Sequence, residues 1–216
     1  NPTGRVYSEE TLKRVGEIVD RKATEYGHPI YILSDEPYKR IAYDVDPPSL
    51  FHISKNTMVC TSYSKELVIP GERIGYVAVN PECPGKEMLI GALTFCNRIL
   101  GFVNAPALMQ RALFFDPDDR VGIEGYRANR KLLLSELAGM GYEIVPPEGA
   151  FYLFPKSPLE DEVEFSAELK KENVLVVPGR GFGRAGYFRI SYCVTRDVIE
   201  RSLPGFKRAI DRVKGA

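Results

Sequence analysis

The chain has 216 residues, enough to bury a core in one large domain or two small ones. Apolar residues make up 44% and charged residues 27%, which excludes disordered, collagen-like and coiled-coil chains. Because 29 basic and 29 acidic side chains give a net charge of zero, we expect no binding to nucleic acid or to an anionic membrane. No apolar run approaches the ~20 residues of a membrane span, and Asn1 to Glu10 do not resemble a signal peptide.

Cysteine and histidine are too scattered to indicate a metal site. No Cys-x-x-Cys pair occurs, and the two histidines cannot complete a usual zinc ligand set. We therefore predict no metal and interpret the cysteines as reduced, buried thiols of a cytoplasmic protein. The residues concerned are Cys60, Cys83, Cys96, Cys193, His28 and His52.

The first half of the chain alternates between helix and strand. Ser8 begins a helical pattern that ends at Gly27. Three short apolar runs then predict buried strands and two helical patterns follow, over 29–34, 57–61, 74–79, 86–100 and 105–115. This order favours a layered α/β fold.

The second half mixes strands and helices in an order typical of an α+β domain. Asp116-Pro117-Asp118-Asp119 forms a break, and we place the domain boundary there, between 1–117 and 118–216. A long helix is predicted over 123–140. Further strands and helices are predicted over 142–145, 150–154, 162–172, 174–177, 187–193 and from Thr195 onward.

Four short signatures occur in one order along the chain. They are Asn1-Pro2-Thr3-Gly4, Asp35-Glu36-Pro37-Tyr38, Ser62-Tyr63-Ser64-Lys65 with Arg73, and Arg189-Ile190-Ser191. Each is weak alone, but their order and their positions at strand ends form a specific set. With this set the chain resembles the class I and II aminotransferases of the pyridoxal-phosphate fold-type I superfamily. The resemblance covers essentially all 216 residues, but only the C-terminal half or somewhat more of such an enzyme.

The resemblance implies a fold and an activity. Residues 1–117 would be the C-terminal part of the cofactor-binding large domain, a partial, mostly parallel three-layer αβα structure, and 118–216 a smaller α+β domain. The cofactor would be pyridoxal 5′-phosphate. The substrates would be an amino acid and a 2-oxo acid, between which an amino group moves, and the full-length enzyme would be a homodimer.

The resemblance also assigns catalytic residues. Lys65 would form a Schiff base with the cofactor and move the α proton of the substrate. Asp35, at the end of an apolar strand, would be a buried carboxylate that keeps the cofactor's ring nitrogen protonated, and Tyr38 would hydrogen-bond the phenolic oxygen. Without the resemblance, Lys65 is interpreted as a solvated charge, Asp35 as a cap and Tyr38 as a core residue.

Binding of oxyanions is assigned to hydroxyl groups and arginines. Ser62, Ser64 and Arg73 would bind the cofactor phosphate, with Arg73 at the start of the next strand. Arg189 lies in an alternating run, where an inward-facing arginine needs an anionic partner, and would bind the substrate's α-carboxylate. Asn1 would contact both cofactor and substrate. The alternatives are a surface location for each arginine and a frayed terminus at Asn1.

Other functions would use the same residues. A β-lyase or decarboxylase of the same fold would also need Lys65, Asp35 and Arg73, whereas a truncated, non-catalytic domain would need none of them. In the family, a Gly-rich phosphate turn and an aromatic ring that stacks on the cofactor precede the Asn-Pro-Thr-Gly turn. We therefore expect the 216-residue chain to be poorly active or inactive by itself.

Overall fold

The computed structural model describes residues 1–115 and 122–215, which divide into two compact units. The N-terminal unit comprises Tyr7–Ala42 and Asp46–Val121, and the C-terminal unit comprises Asn1–Val6, Tyr43–Val45 and Gly122–Ala216. The predicted break at 116–119 lies outside the described residues. By their contacts the first six residues belong to the C-terminal unit, while the domain division after residue 117 stays a prediction.

The N-terminal unit alternates between helix and strand, which confirms the α/β class. Its elements are α1 (Glu9–Tyr26), β1 (Ile32–Asp35), β2 (Thr57–Ser62), α2 (Tyr63–Glu66), β3 (Gly75–Val79), α3 (Lys86–Ile99) and α4 (Ala107–Phe115). Helix α1 starts where the sequence predicts, because the Ser8 hydroxyl accepts a hydrogen bond from the Thr11 N–H at 3.2 Å. It ends before Gly27.

The three strands of this unit form a mixed sheet in the order β1-β2-β3. Strands β1 and β2 are parallel, but β2 and β3 are antiparallel, so the expectation of a mostly parallel sheet is not met in the described strands. The connection between β2 and β3 contains only the four-residue helix α2 and a short turn, not the longer helix that usually connects parallel strands. Gly75 permits a close approach of β3 to β2, because a Cβ there would collide with the Thr61 carbonyl. The three-layer arrangement stays a prediction.

The C-terminal unit packs three helices against a small antiparallel sheet in the order β4-β6-β5. Its elements are α5 (Ile123–Gly139), β4 (Tyr152–Leu153), α6 (Glu162–Lys171), β5 (Val177–Pro178), β6 (Phe188–Ser191) and α7 (Arg196–Lys214). The predicted helices agree with α5, α6 and α7 to within a residue or two. The strands are shorter than predicted, and no strand covers 142–145.

Tyr142 shows why that segment does not form a strand. Its side chain is 5% exposed and its hydroxyl donates to the Phe206 carbonyl at 2.9 Å, so the residue fills the core. The two prolines that follow at 146 and 147 lack the N–H donors of a sheet ladder. Ring centroids of Phe165, Phe188 and Phe206 lie about 6 Å from that of Tyr142. Burial raises the pKa of the Tyr142 hydroxyl.

The cysteines differ in exposure. All four are free, but Cys96 and Cys193 are exposed, so the expectation that all are buried is wrong. Cys96 lies on α3, a helix with no buried residue, and Cys193 follows the end of β6. Among the described residues, no group of histidine, cysteine or acidic side chains could bind a metal ion. Within those same residues, every helix is too short or too polar to cross a membrane.

Candidate functional site

Lys65 lies on the single turn of helix α2, directly after strand β2. The Ser62 hydroxyl caps this turn by accepting from the Ser64 N–H at 3.1 Å, and the two hydroxyl oxygens are 2.7 Å apart. Lys65 is half-buried, and no acidic side chain of the described residues forms an ion pair with it. The neighbouring Glu66 instead lies 3.8 Å from Arg40, and burial raises the pKa of the Glu66 carboxyl.

Arg73 is exposed and ends the turn that leads into strand β3. The sequence predicted that Arg73 begins the strand, but β3 starts two residues later, at Gly75. Its guanidinium Nη1 donates to the Pro70 carbonyl at 2.9 Å. Its backbone φ is 50° and that of Val68 is 57°, in the left-handed region that non-glycine residues seldom adopt. Such strain is typical of functional loops.

Asp35 is the last residue of β1 and pairs in register with Cys60 of β2. Its carboxylate is exposed, so the expectation of a buried carboxylate is wrong for the described chain. Burial, followed by the negative charge of Asp35, raises the pKa of the Cys60 thiol. The segment leading to half-buried Tyr38 is fixed to β2, because the Glu36 N–H donates to the Cys60 carbonyl at 2.8 Å.

Strand directions place these residues at one edge of the sheet. Because β1 and β2 are parallel, the segments that follow both strands lie at the same edge of the sheet. The antiparallel strand β3 begins at that edge, since Gly75 pairs with Ser62. The sheet therefore brings together a set that we call the lysine group: Asp35, Tyr38, Ser62, Ser64, Lys65 and Arg73.

Arg189 lies on β6, the central strand of the C-terminal sheet. Phe188 and Ile190 face the core, so the alternation puts Arg189 on the opposite face. It is not a free surface charge, because its guanidinium carbon lies 4.5 Å from the ring centres of both Tyr152 and Phe182. Arg189 is half-buried.

Asn1 is the polar partner of this guanidinium. Its side-chain oxygen accepts from Arg189 Nη1 at 2.8 Å. The Arg189 Nε is buried and has no acceptor among the described residues. The turn that carries Asn1 is fixed, since the Gly4 carbonyl accepts from the Glu148 and Gly149 N–H groups at 2.7 and 2.9 Å. We call Asn1, Arg189, Tyr152 and Phe182 the arginine group.

Sequence reasoning missed the two rings. Tyr152 lies in a predicted strand and Phe182 in a glycine-rich loop, and neither position carries a signal that distinguishes a ring on an arginine from a core ring. Alternation along β6 indicates only that Arg189 shares no face with Phe188. Which residues contact Arg189 on the face opposite Phe188 depends on tertiary packing.

Comparison with known proteins identifies the family of the chain. The sequence model of the family described as "Aminotransferase class I and II" matches residues 1–204. A probable aspartate/prephenate aminotransferase of Aquifex aeolicus is 33% identical over 99% of this chain and 56% of its own length. An aspartate aminotransferase of Pyrococcus horikoshii is 31% identical over 99% of this chain and 55% of its own length.

Solved structures share the fold. The crystal structure of an aminotransferase from Eubacterium rectale is 43% identical, with a TM-score of 0.94 over 99% of this chain and 54% of that one. The chain thus spans about half the length of the relatives that it matches. With a family match over nearly its whole length, the chain belongs to the class I and II aminotransferases.

Proposed function

We propose that the chain is part of an aminotransferase that uses pyridoxal 5′-phosphate to move an amino group between an amino acid and a 2-oxo acid. The observation that carries the proposal is the lysine group, which places an amine, hydroxyls and a guanidinium at one sheet edge. The names of the relatives support transamination over the β-lyase and decarboxylase alternatives. The homodimer and the cytoplasmic location stay predictions.

The donors of the lysine group suit a phosphate. Ser62 and Ser64 present two adjacent hydroxyls, and Arg73 presents a guanidinium whose described acceptor is a backbone carbonyl. No acidic side chain of the described residues neutralises Arg73 or Lys65. A tetrahedral dianion would take up these donors, because charge-assisted hydrogen bonds to guanidinium and hydroxyl groups are strong. We infer that Ser62, Ser64 and Arg73 hold the phosphate of the cofactor.

Lys65 and Asp35 would act at the two ends of the cofactor ring. When bound, the cofactor supplies an electron sink that stabilises negative charge at the substrate's α carbon. The Lys65 amine would hold the cofactor at its aldehyde carbon, with loss of water, and would move the proton of that α carbon once the substrate's amine has displaced it. The Asp35 carboxylate would hold a proton on the ring nitrogen, because a negative charge nearby favours the protonated form. Tyr38 would donate a hydrogen bond to the phenolic oxygen.

Arg189 would bind the α-carboxylate of the substrate. Its guanidinium lies against two aromatic rings, and its described hydrogen-bond partner is a neutral amide oxygen, not a carboxylate. A planar fork held in this way fits a carboxylate through two parallel hydrogen bonds. Asn1 would orient the fork and contact the bound substrate.

Labelling of the lysine tests the proposal. The chain is mixed with pyridoxal 5′-phosphate and reduced with borohydride, and the modified peptides are mapped by mass spectrometry. We expect the pyridoxyl group mainly on Lys65, and its loss in Lys65→Ala. Lys55→Ala is the matched control, since Lys55 is an exposed lysine of the same unit. Equal labelling of Lys65 and Lys55 would contradict the proposal, and so would undiminished labelling of Lys65→Ala.

A further inference from the structure

The loop between β5 and β6 carries the ring of Phe182 onto Arg189. This loop, Gly179–Gly186, is folded tightly on itself. The Gly179 N–H donates to the Tyr187 carbonyl at 2.7 Å and the Arg184 N–H to the Gly179 carbonyl at 3.1 Å. Only glycine fits at 179, because a Cβ there would collide with the Arg184 carbonyl. The loop shape therefore decides where Phe182 lies.

Glu162, the first residue of α6, binds both ends of this loop. Its Oε1 accepts from the Arg180 N–H at 3.1 Å and from Arg180 Nε at 2.9 Å, and its Oε2 accepts from the Gly186 N–H at 2.9 Å. The side chain is completely buried. The hydrogen bonds from Arg180 and then Gly186 lower the pKa of the Glu162 carboxyl to about 2. Glu162 is therefore ionised at neutral pH.

We infer that Glu162 is a positioning residue for Arg189: by fixing both ends of the loop it holds Phe182 on the guanidinium. The inference rests on the proposed function, in which Arg189 binds the carboxylate of the substrate. Fixing the plane of the guanidinium before the ligand arrives lowers the ordering cost of a two-point hydrogen bond. Glu162 acts through Phe182 and does not itself contact Arg189 or the ligand.

The choice of a carboxylate at a buried position supports this role. Burial of an ion is costly unless hydrogen bonds compensate it, so a position that only packed α6 would favour an apolar side chain. Glu162 instead satisfies two backbone N–H groups of the loop, which have no other described acceptor. In Glu162→Gln, one acceptor oxygen becomes an NH2 donor that faces another donor. The loop would then lose one of its two attachments.

Arginine side-chain NMR of the full 216-residue chain tests the inference. The Nε–Hε signal of Arg189, assigned with Arg189→Lys, reports ring currents from Tyr152 and Phe182. Maleate serves as the carboxylate probe. In Glu162→Gln we expect this signal to move toward the position of a free arginine, and the affinity for maleate to fall by up to about tenfold, as for the cost of ordering one long side chain on binding.

Glu164→Gln is the matched control. It removes the same charge from the same helix, but its side chain is exposed and lies outside the loop contacts, so we expect the wild-type signal and affinity. A second variant, Phe182→Leu, tests whether Glu162 acts on Arg189 through the ring of Phe182. If Glu162 acts through Phe182, Glu162→Gln adds no further change to the Arg189 signal in the Phe182→Leu background. Additive changes would overturn the inference.

The outcomes separate the two proposals. Equal maleate affinity and an unmoved Arg189 signal in Glu162→Gln would overturn the positioning role and leave the carboxylate site intact. If wild-type chain does not bind maleate while the signal still moves in Glu162→Gln, the carboxylate site fails and the positioning of Arg189 stands. Should Glu162→Gln not fold, Arg180→Met keeps the backbone N–H contact at position 180 and removes the side-chain contacts to Glu162 Oε1 and Asp161 Oδ1. We expect a smaller shift in the same direction, and an unmoved signal would overturn the inference.

Discussion

Two phenylalanines on long helices show that the two units bury apolar side chains to different degrees. Phe206 on α7 is 1% exposed and meets Tyr142 edge to face, whereas Phe95 on α3 is 63% exposed. No residue of α3 is buried, although the sequence of α3 is richer in apolar residues than that of α7. Among the described residues, only four buried apolar side chains belong to the N-terminal unit: Ile41, Leu50, Ile74 and Cys83.

The difference extends to the candidate site residues. Arg189 is held by the core of its own unit, because Phe188 and Ile190 anchor β6 on the buried face and two rings cover the guanidinium. In the lysine group, by contrast, Asp35 and Arg73 are exposed. We infer that Arg189, the proposed carboxylate-binding residue, is preorganised within the C-terminal unit. The lysine group has its residues at one sheet edge but is open to water, which weakens electrostatic interactions there.

Truncating the two phenylalanines tests this difference in burial most directly. Phe206→Ala removes a buried ring from the aromatic core, so we expect it to lower the free energy of unfolding of the C-terminal unit by about 3–5 kcal/mol. Phe95→Ala, the same change on an exposed face, should shift stability by no more than about 0.5 kcal/mol. Urea unfolding followed by circular dichroism measures both. Similar losses in the two variants would show that α3 is covered to the same degree as α7.

Such a contrast was not visible in the sequence. Periodicity and caps predicted α1, α5 and α7 well, because these signals are local. The number of buried neighbours of a helix depends on what packs against it, and the apolar pattern of α3 gives no information on that. Strand lengths failed for a related reason, since Tyr142 lies in an apolar run but is used as a core residue of a non-strand segment.

The pH dependence of the loop contact gives the second test. The folded-state pKa of Glu162 is lowered from 4.5 to about 2 by Arg180 and the loop N–H groups. A lowered pKa means that the stabilisation is complete above about 4.5 and is lost as the pH falls toward about 2. We therefore expect Glu162→Gln to melt at a lower temperature than wild type at pH 7, with the gap narrowing across that window. Thermal melts between pH 7 and pH 2 measure it.

Glu164→Gln serves as the control for this titration, because Glu164 is exposed on the same helix. Its melting temperature should follow that of wild type at every pH. If the difference in melting temperature between wild type and Glu162→Gln stays constant from pH 7 to pH 2, the contact does not depend on the charge of Glu162.

A weaker effect is expected in the lysine group. Arg73→Ala removes one guanidinium from the proposed phosphate site and leaves Lys65 in place, so cofactor affinity should fall by about tenfold or more, as for a lost hydrogen bond to a charged group of about 1.5–3 kcal/mol. Titration with pyridoxal 5′-phosphate followed by absorbance measures the affinity. Arg98→Ala is the control, an exposed arginine of α3 in the same unit. Equal affinities of the two variants for the cofactor would show that Arg73 does not bind its phosphate.

How far the sequence predicts the site also differs between the two groups. The residues of the lysine group come from the signatures, and their roles stay predictions. Arg73 lies two residues before β3, and the other members lie at or just after the ends of β1 and β2. The signatures did not predict that Asp35 is exposed, since exposure depends on the elements that cover the sheet edge. Glu162 was missed altogether. An acidic residue in the first turn of a helix is the usual way to complement the helix dipole, so its sequence context is ordinary.

The smallest expected effect concerns backbone strain beside Lys65. Val68 is a β-branched residue at φ 57°, where an L-residue costs about 1–2 kcal/mol and glycine pays no steric penalty. Glycine loses about 0.5–1 kcal/mol through its greater flexibility when unfolded. Val68→Ala keeps the strain and removes the branched side chain, so we expect Val68→Gly to be more stable than Val68→Ala by about 0.5–1 kcal/mol. Urea unfolding followed through amide resonances of β2 measures the difference.

The same pair of variants shows whether the strain serves the lysine group. Val68 lies three residues after Lys65, and a loop released by glycine samples more backbone conformations around the amine. If the strained conformation holds Lys65 in position, Val68→Gly should be labelled more slowly by pyridoxal 5′-phosphate than Val68→Ala, although it is the more stable protein. A gain in stability with unchanged labelling would assign the strain to chain geometry alone. A Val68→Gly variant that is less stable than Val68→Ala by about 0.5–1 kcal/mol, the flexibility cost of glycine alone, would show that position 68 is not strained.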